Sequence, residues 1–225
     1  MNPILEFENV SYSYNNGGNK IEVLKDASYT FKSGTLYTIL GQSGSGKTTA
    51  LTLAGGLDVP QKGKVLFKGL DIRKQGLTKH RRKFVSLIFQ NYNLINYMTA
   101  IENVTMAMEI SGSHKGERKS AAMKILKDLG LTENEATRDV RKLSGGQQQR
   151  VAIARALATN TEIILADEPT GNLDVDTAKG MLEIFEKLAR DYGKCVIVVT
   201  HSHEIAARAD IVLKFENGTL IEQSA

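Results

Sequence analysis

The sequence predicts an α/β fold built on a mainly parallel sheet, and three observations lead there. Short apolar runs alternate with longer stretches of helical period. Four of those runs, 35–40 (TLYTIL), 84–89 (FVSLIF), 162–166 (EIILA) and 195–200 (CVIVVT), are apolar almost throughout rather than alternating, as strands covered on both faces are. Each is followed at once by a glycine or a polar residue, Gly41, Gln90, Asp167 and His201, so four strands present chemistry to one crevice at their carboxyl ends.

Taken in order, residues 4–31 combine the alternating stretch LEFENVSYSY with the turn-rich NNGGN. With the later GKVLFKG they predict a small N-terminal antiparallel sheet. The strand at 35–40 runs into a glycine-rich loop, and TTALTLAGG after it has helical pattern. Between 91 and 158, IENVTMAMEI, ERKSAAMKILKDLG and QQQRVAIARALA read as helices of a separate subdomain, with SGSHKG as a short linker between two of them. The expected organisation is one domain over 1–225, its core and antiparallel parts at about 1–90 and 159–225 and its helical subdomain at about 91–158.

Composition narrows the class. With 225 residues, 41% hydrophobic, 24% charged and 6% aromatic, the chain is expected to bury a sizeable core. Its net charge of +4 is too small for a protein that coats nucleic acid, and no nucleic-acid partner is expected. No apolar run reaches the roughly 20 residues that span a bilayer, and Pro3 and Glu6 stand where a signal peptide needs a basic then apolar segment. The lone Cys195, inside CVIVV, is expected to be a reduced core thiol and so to indicate a cytosolic setting.

The loop GQSGSGKT, Gly41, Gln42, Ser43, Gly44, Ser45, Gly46, Lys47 and Thr48, matches G-x-x-x-x-G-K-[ST] in the required strand-to-helix context. Its glycines let backbone amides close around a phosphate at a helix N-terminus. Lys47 is expected to reach the β- and γ-phosphates, Thr48 to offer a hydroxyl to Mg2+, and Thr49 to continue the site. In ILADE, Asp167 is placed for the metal and Glu168 to orient or deprotonate an attacking water. Gln90 is expected to complete metal or water coordination, and His201 to hydrogen-bond the γ-phosphate.

Residues 143–158, LSGGQQQRVAIARALA, lie between GQSGSGKT and IILADEPTGNLD, and with these motifs the whole chain resembles the ATP-binding subunit of ABC transporters. The resemblance implies a P-loop NTPase (RecA-like) core, ATP and Mg2+ as ligands, and ATP hydrolysis. Ser144 and Gln147, three apart, form a capping box, and with the Gly145 and Gly146 amides they make a second anion site. In the family that site closes over the nucleotide of another subunit in a head-to-tail dimer. The resemblance further implies that Tyr14 stacks on adenine, with Tyr12 as the alternative on the same strand face. Asp174, in GNLD, would contact the opposite subunit, unless that segment is a plain turn.

Tyr92, Leu94, Ile95, Tyr97 and Met98 in NYNLINYMTAIENV are more apolar than a loop needs, and resemble the groove that receives a helix of an integral membrane permease. That partner implies a cytoplasmic protein, peripheral on the inner face of the cell membrane. FQNYNLI, ENV and ADEPTGNLD are most similar to the macrolide-export, lipoprotein-release and antimicrobial-peptide-resistance group. SLIFQ and MAMEISGSHKGER depart from its usual pattern and leave the particular permease open. KHRRK, 79–83, reads as a solvated face, with contact to phosphate head groups as the alternative. A soluble ATPase of the same type acting on DNA or ribosomes is the alternative; it usually needs two such domains or a coiled-coil insertion. A P-loop kinase gives no reason for LSGGQ.

Overall fold

The computed structural model describes residues 2–17, 19–42, 44–171, 173 and 175–223. Strands β1 (Pro3–Asn16) and β2 (Asn19–Lys32) form a long hairpin, and β3 (Thr35–Leu40) leads into helix α1 (Lys47–Ala54). Next come β4 (Lys62–Phe67), β5 (Leu70–Asp71), α2 (Ile72–Gln75), α3 (Leu77–Lys83) and β6 (Val85–Phe89). Helices α4 (Ala100–Ser111), α5 (Arg118–Asp128), α6 (Glu133–Ala136) and α7 (Gly145–Ala158) follow. The chain then alternates through β7 (Ile163–Asp167), α8 (Val175–Arg190), β8 (Cys195–Thr200), α9 (His203–Ala206), β9 (Ile211–Glu216) and β10 (Thr219–Glu222).

Two sheets result among the described residues. One is antiparallel in the order β2-β1-β4-β5; the other runs β10-β9-β3-β8-β7-β6, parallel except where β10 turns back on β9. In the second sheet the pleat sorts side chains by parity. Leu36, Ile88, Ile164, Ala166, Val196 and Val198 point into a core shared with α4, α5, α7 and α8. Tyr37, Ile39, Ile163, Leu165, Ile197 and Val199 point into a second core shared with α1 and the antiparallel sheet. Both faces are dry, which is why these strands are apolar without alternation. Cys195 lies in the second core as a free, buried thiol, and burial pushes its pKa up.

The helical layer is fixed by local chemistry. Thr99 with Glu102, Thr132 with Glu135, and Ser144 with Gln147 each close a reciprocal capping box at the starts of α4, α6 and α7. Gln147 Nε2 also donates to Glu135 Oε1 at 2.6 Å, tying the α7 cap to α6.

One expectation is corrected. KHRRK is not simply a solvated face: His80 is fully buried, its Nε2 at 3.0 Å from the Ala54 carbonyl. Arg81 donates to the Gly56 carbonyl just past α1, and Lys83 to Ser111 at the end of α4. These cations cap helix C-termini, where unpaired carbonyls and the macrodipole favour positive charge.

Candidate nucleotide site

The site begins at the end of β3. Gly46 takes a φ of 115° as the residue before α1, and a Cβ there would stand 2.3 Å from Val23 Cγ1, so backbone and space both demand glycine. The turn delivers Lys47 into the first position of α1, almost wholly buried, where its Nζ donates to the Gly41 and Gln42 carbonyls at 2.8 Å each. Burial pulls the Lys47 ammonium below its ordinary pKa, opposed by the charges of Glu168 and Asp167.

Thr48 Oγ1 donates to Asp167 Oδ2 at 3.0 Å. Asp167 is the last residue of β7, paired in register with Phe89 and Val199, so it belongs to the strand rather than to the loop after it. Burial raises its pKa, against the Thr48 bond and the charge of Lys47. Glu168 has a left-handed φ of 45°, and its amide donates to the Val199 carbonyl at 2.9 Å. Thr200 Oγ1 donates to Glu168 Oε2 at 3.2 Å. Oε1 lies 3.2 Å from His201 Nε2 yet accepts no hydrogen bond among the described residues.

These groups share a cleft of about 910 Å³ lined by Tyr14, Gly44, Gly46, Lys47, Thr48, Thr49, Gln90, Asp167, Glu168, Gly171 and His201, among others. Gly41, Gln42 and Ser45 line a neighbouring hollow of about 550 Å³, which His201 also borders. Ser43 and Asp174 lie outside the described residues. Ser144, Gly145, Gly146 and Gln147 open α7 elsewhere and contribute nothing to the cleft wall.

Tyr12 and Tyr14 touch edge to face at 5.1 Å, but their hydroxyls differ. Tyr12 donates to Asp58 Oδ2 at 2.6 Å, and that bond, with burial, pushes its phenol up to about 12. Tyr14 is 47% exposed, hydrogen-bonds the Thr49 hydroxyl at 3.0 Å and lines the cleft.

Two contributors escaped the sequence reading. Arg155 donates to the carbonyls of Asn93 at 2.6 Å and Tyr92 at 3.1 Å, both residues with positive φ, and so pins the turn after Gln90. Gln149, wholly buried, donates to the Pro169 carbonyl at 2.7 Å. The available signal was polarity out of place, in an arginine within VAIARALA and a third consecutive glutamine.

The family model described as ABC transporter matches residues 24–171. The chain belongs to the ABC transporter family. It is 48% identical over 216 residues to the uncharacterised ABC transporter ATP-binding protein YclH of Bacillus subtilis, covering 96% of this chain and 95% of that one. To the lipoprotein-releasing system ATP-binding protein LolD of Rickettsia bellii it is 42% identical, over 97% and 98% of the two chains. Among solved structures, the dimeric cassette MJ0796 superposes with a TM-score of 0.90 at 38% identity over 98% of each chain, and its ADP- and Pi-bound form with 0.88. Like other ABC cassettes, the chain is an ATP-hydrolysing α/β protein with an antiparallel sheet and a mostly parallel one. None of its described helices is long and apolar enough to cross a membrane.

Proposed function

We propose that the chain is the ATPase subunit of a transporter, closing head-to-tail on a second copy and driving a separate membrane permease. The observation that carries this reading is the separation of two phosphate-type sites. Gly44, Gly46, Lys47, Thr48 and Thr49 of the glycine loop and helix start face the cleft, whereas the exposed N-terminus of α7, with the Ser144 hydroxyl and the Gly145 and Gly146 amides, lies outside it. One chain then has half of each site, and a second copy supplies the complement. Tyr14 stacks on adenine, because Tyr12 is already committed to Asp58.

A hydroxyl and a carboxylate facing each other fit a hard cation that keeps few protein ligands. Thr48 and Asp167 would hold Mg2+, with Gln90 beside them, and the ion supplies neutralising charge for phosphate oxygens. The work of the chain is otherwise positional. Lys47 exchanges its carbonyl partners for phosphate oxygens, Glu168 accepts from the attacking water, and His201 orients Glu168 and the γ-phosphate. The Lys47 ammonium is pre-paid for this exchange, since it is already buried. One domain, 1–225, with a helical part at about 91–158, carries both half-sites.

The permease contact falls on Tyr97, 79% exposed, and on Ile110, 62% exposed, which with Leu87, Ala107 and Arg155 lines a groove of about 210 Å³. Tyr92, Leu94, Ile95 and Met98 are half-buried, and Leu94 packs on the core. Docking there sets the chain on the inner face of the cell membrane. The likeness to the lipoprotein-releasing LolD and to the macrolide export protein MacB of Neisseria meningitidis favours a lipid-linked, peptide or drug substrate, exported or extracted.

Purification of the chain from its own cells in mild detergent tests this. A stoichiometric integral membrane protein supports the reading; ribosomes or DNA-bound proteins in its place would overturn it in favour of a soluble ATPase. Glu168→Gln should lower turnover by about 10²–10⁴-fold with ATP binding intact, and Lys47→Ala should weaken ATP binding itself.

A further inference from the structure

Gln149 is a buried amide whose environment asks for something else. Its side chain is wholly excluded from water, its Nε2 reaches Pro169 O, and its Oε1 has no hydrogen-bond partner among the described residues. A half-satisfied buried amide is worse for stability than an apolar side chain of the same shape, so packing gives no reason for glutamine here.

The bond it makes is placed for function. Pro169 follows Glu168 directly, and the left-handed backbone of Glu168 has to be held from outside. The Val199 carbonyl holds it before the proline, and Gln149 holds it after. A second contact lies beyond. Thr177 Cγ2 is 2.9 Å from where a Cβ on Gly146 would stand, so the first turn of α8 rests on the first turn of α7. Pro169 and Thr177 are thereby both held against α7.

We infer that Gln149 is a positioning residue, coupling the phosphate-facing end of α7 to the placement of Glu168 in the same chain. The inference rests on the head-to-tail dimer proposed above, in which α7 closes on the partner's nucleotide while Glu168 serves its own. When Ser144 is drawn to that phosphate, α7 shifts as a rod, and the Gln149 bond passes the shift to the backbone behind Glu168. Hydrolysis in each site then depends on occupancy of the other.

The test compares the full chain carrying Gln149→Met, which keeps the volume and removes the donor, with wild type. Maximal ATP turnover should fall about tenfold or more and half-saturating ATP stay within about twofold, as displacement of a catalytic group without loss of ground-state binding gives. The Hill coefficient for ATP should fall toward one. Should Gln149→Met fail to fold, Gln149→Asn, too short to span to Pro169, has the same expected readouts.

Dimerisation is followed separately by light scattering with ATP and Mg2+ in a Glu168→Gln background, where the Gln149→Met double variant should dimerise as Glu168→Gln alone does. If Glu168→Gln itself stays monomeric with ATP, the dimer reading fails. If it dimerises and Gln149→Met keeps wild-type turnover and cooperativity, the coupling is wrong. Equal losses in turnover and ATP affinity, or loss of the dimer in the double variant alone, would make Gln149 a structural residue and also overturn it.

Discussion

Thr48 and Asp167, 119 residues apart, are joined by a 3.0 Å hydrogen bond between the first turn of α1 and the end of β7. That bond closes the floor of the cleft and brings a hydroxyl and a carboxylate oxygen to a single point. Thr48→Val keeps the shape and removes the hydroxyl. The Mg2+ concentration that half-saturates ATP turnover should rise by at least about tenfold, the scale seen when a group supporting a metal site is lost. A magnesium titration of the variant checks this; an unchanged midpoint would place the metal elsewhere.

Tyr14 and Tyr12 separate by ligand affinity and stability. Loss of one aromatic stacking on a base costs about 1–3 kcal/mol, so Tyr14→Ala should weaken ATP binding by roughly 5–150-fold. Tyr12→Phe, which removes the bond to Asp58, should leave ATP affinity alone and lower the unfolding midpoint. Calorimetric binding and thermal melts on both variants decide, and the reverse pattern would reassign the stacking residue.

Gly46→Ala should be costly out of proportion to one methyl group. The added carbon meets Val23 Cγ1, and a φ of 115° is strained for any L side chain. We expect a destabilisation of about 1–3 kcal/mol together with loss of nucleotide binding. Denaturant midpoints measured with and without ATP report both, and a variant that ATP still stabilises would show that the loop tolerates a wider turn.

His80 makes stability depend on pH. Burial holds its imidazole below the ordinary value of 6.5, only partly opposed by the bond to Ala54 O. Below that value the unfolded chain binds a proton that the folded chain refuses, so stability rises with pH through this window and levels off above it. The contribution is complete at neutral pH and is lost as pH falls below about 6.5. His80→Gln, which keeps a donor for Ala54, should flatten the curve. Urea midpoints of both proteins between pH 7.5 and 5 should converge at the acid end if His80 is responsible.

Much of the site was legible because it sits where strand pattern breaks. Gly41, Gln90 and His201 directly follow apolar runs, and Asp167 ends one, so order along the chain is enough to group them. The capping box of Ser144 and Gln147 is likewise a spacing rule, and it is present. What sequence could not give is the phase of β1. The register slips between Phe7 and Val10, where Asn9 takes a φ of 48°, and Gly63 makes room opposite because a Cβ there would stand 2.3 Å from the Asn9 carbonyl oxygen. After the slip Ser11 and Ser13 point inward, while Tyr14 is left toward the cleft. Arg81 and Lys83 were hidden for another reason, since a cation capping a distant helix is spelled the same way as one in water.

Strand β3 has only β8 and β9 as neighbours in its sheet, Thr35 pairing with Cys195 and Tyr37 with Ile211. During synthesis the ribosome has therefore released the glycine loop, the capping box and both acidic residues long before the platform beneath the loop can form. Until residues 195–216 emerge, 35–40 is an apolar ribbon with both edges unpaired, which is the kind of segment chaperones hold and other chains seize. Responsiveness to nucleotide is among the last properties the growing polypeptide gains, so an arrest before Cys195 yields a chain with every motif in place and nothing to bind with.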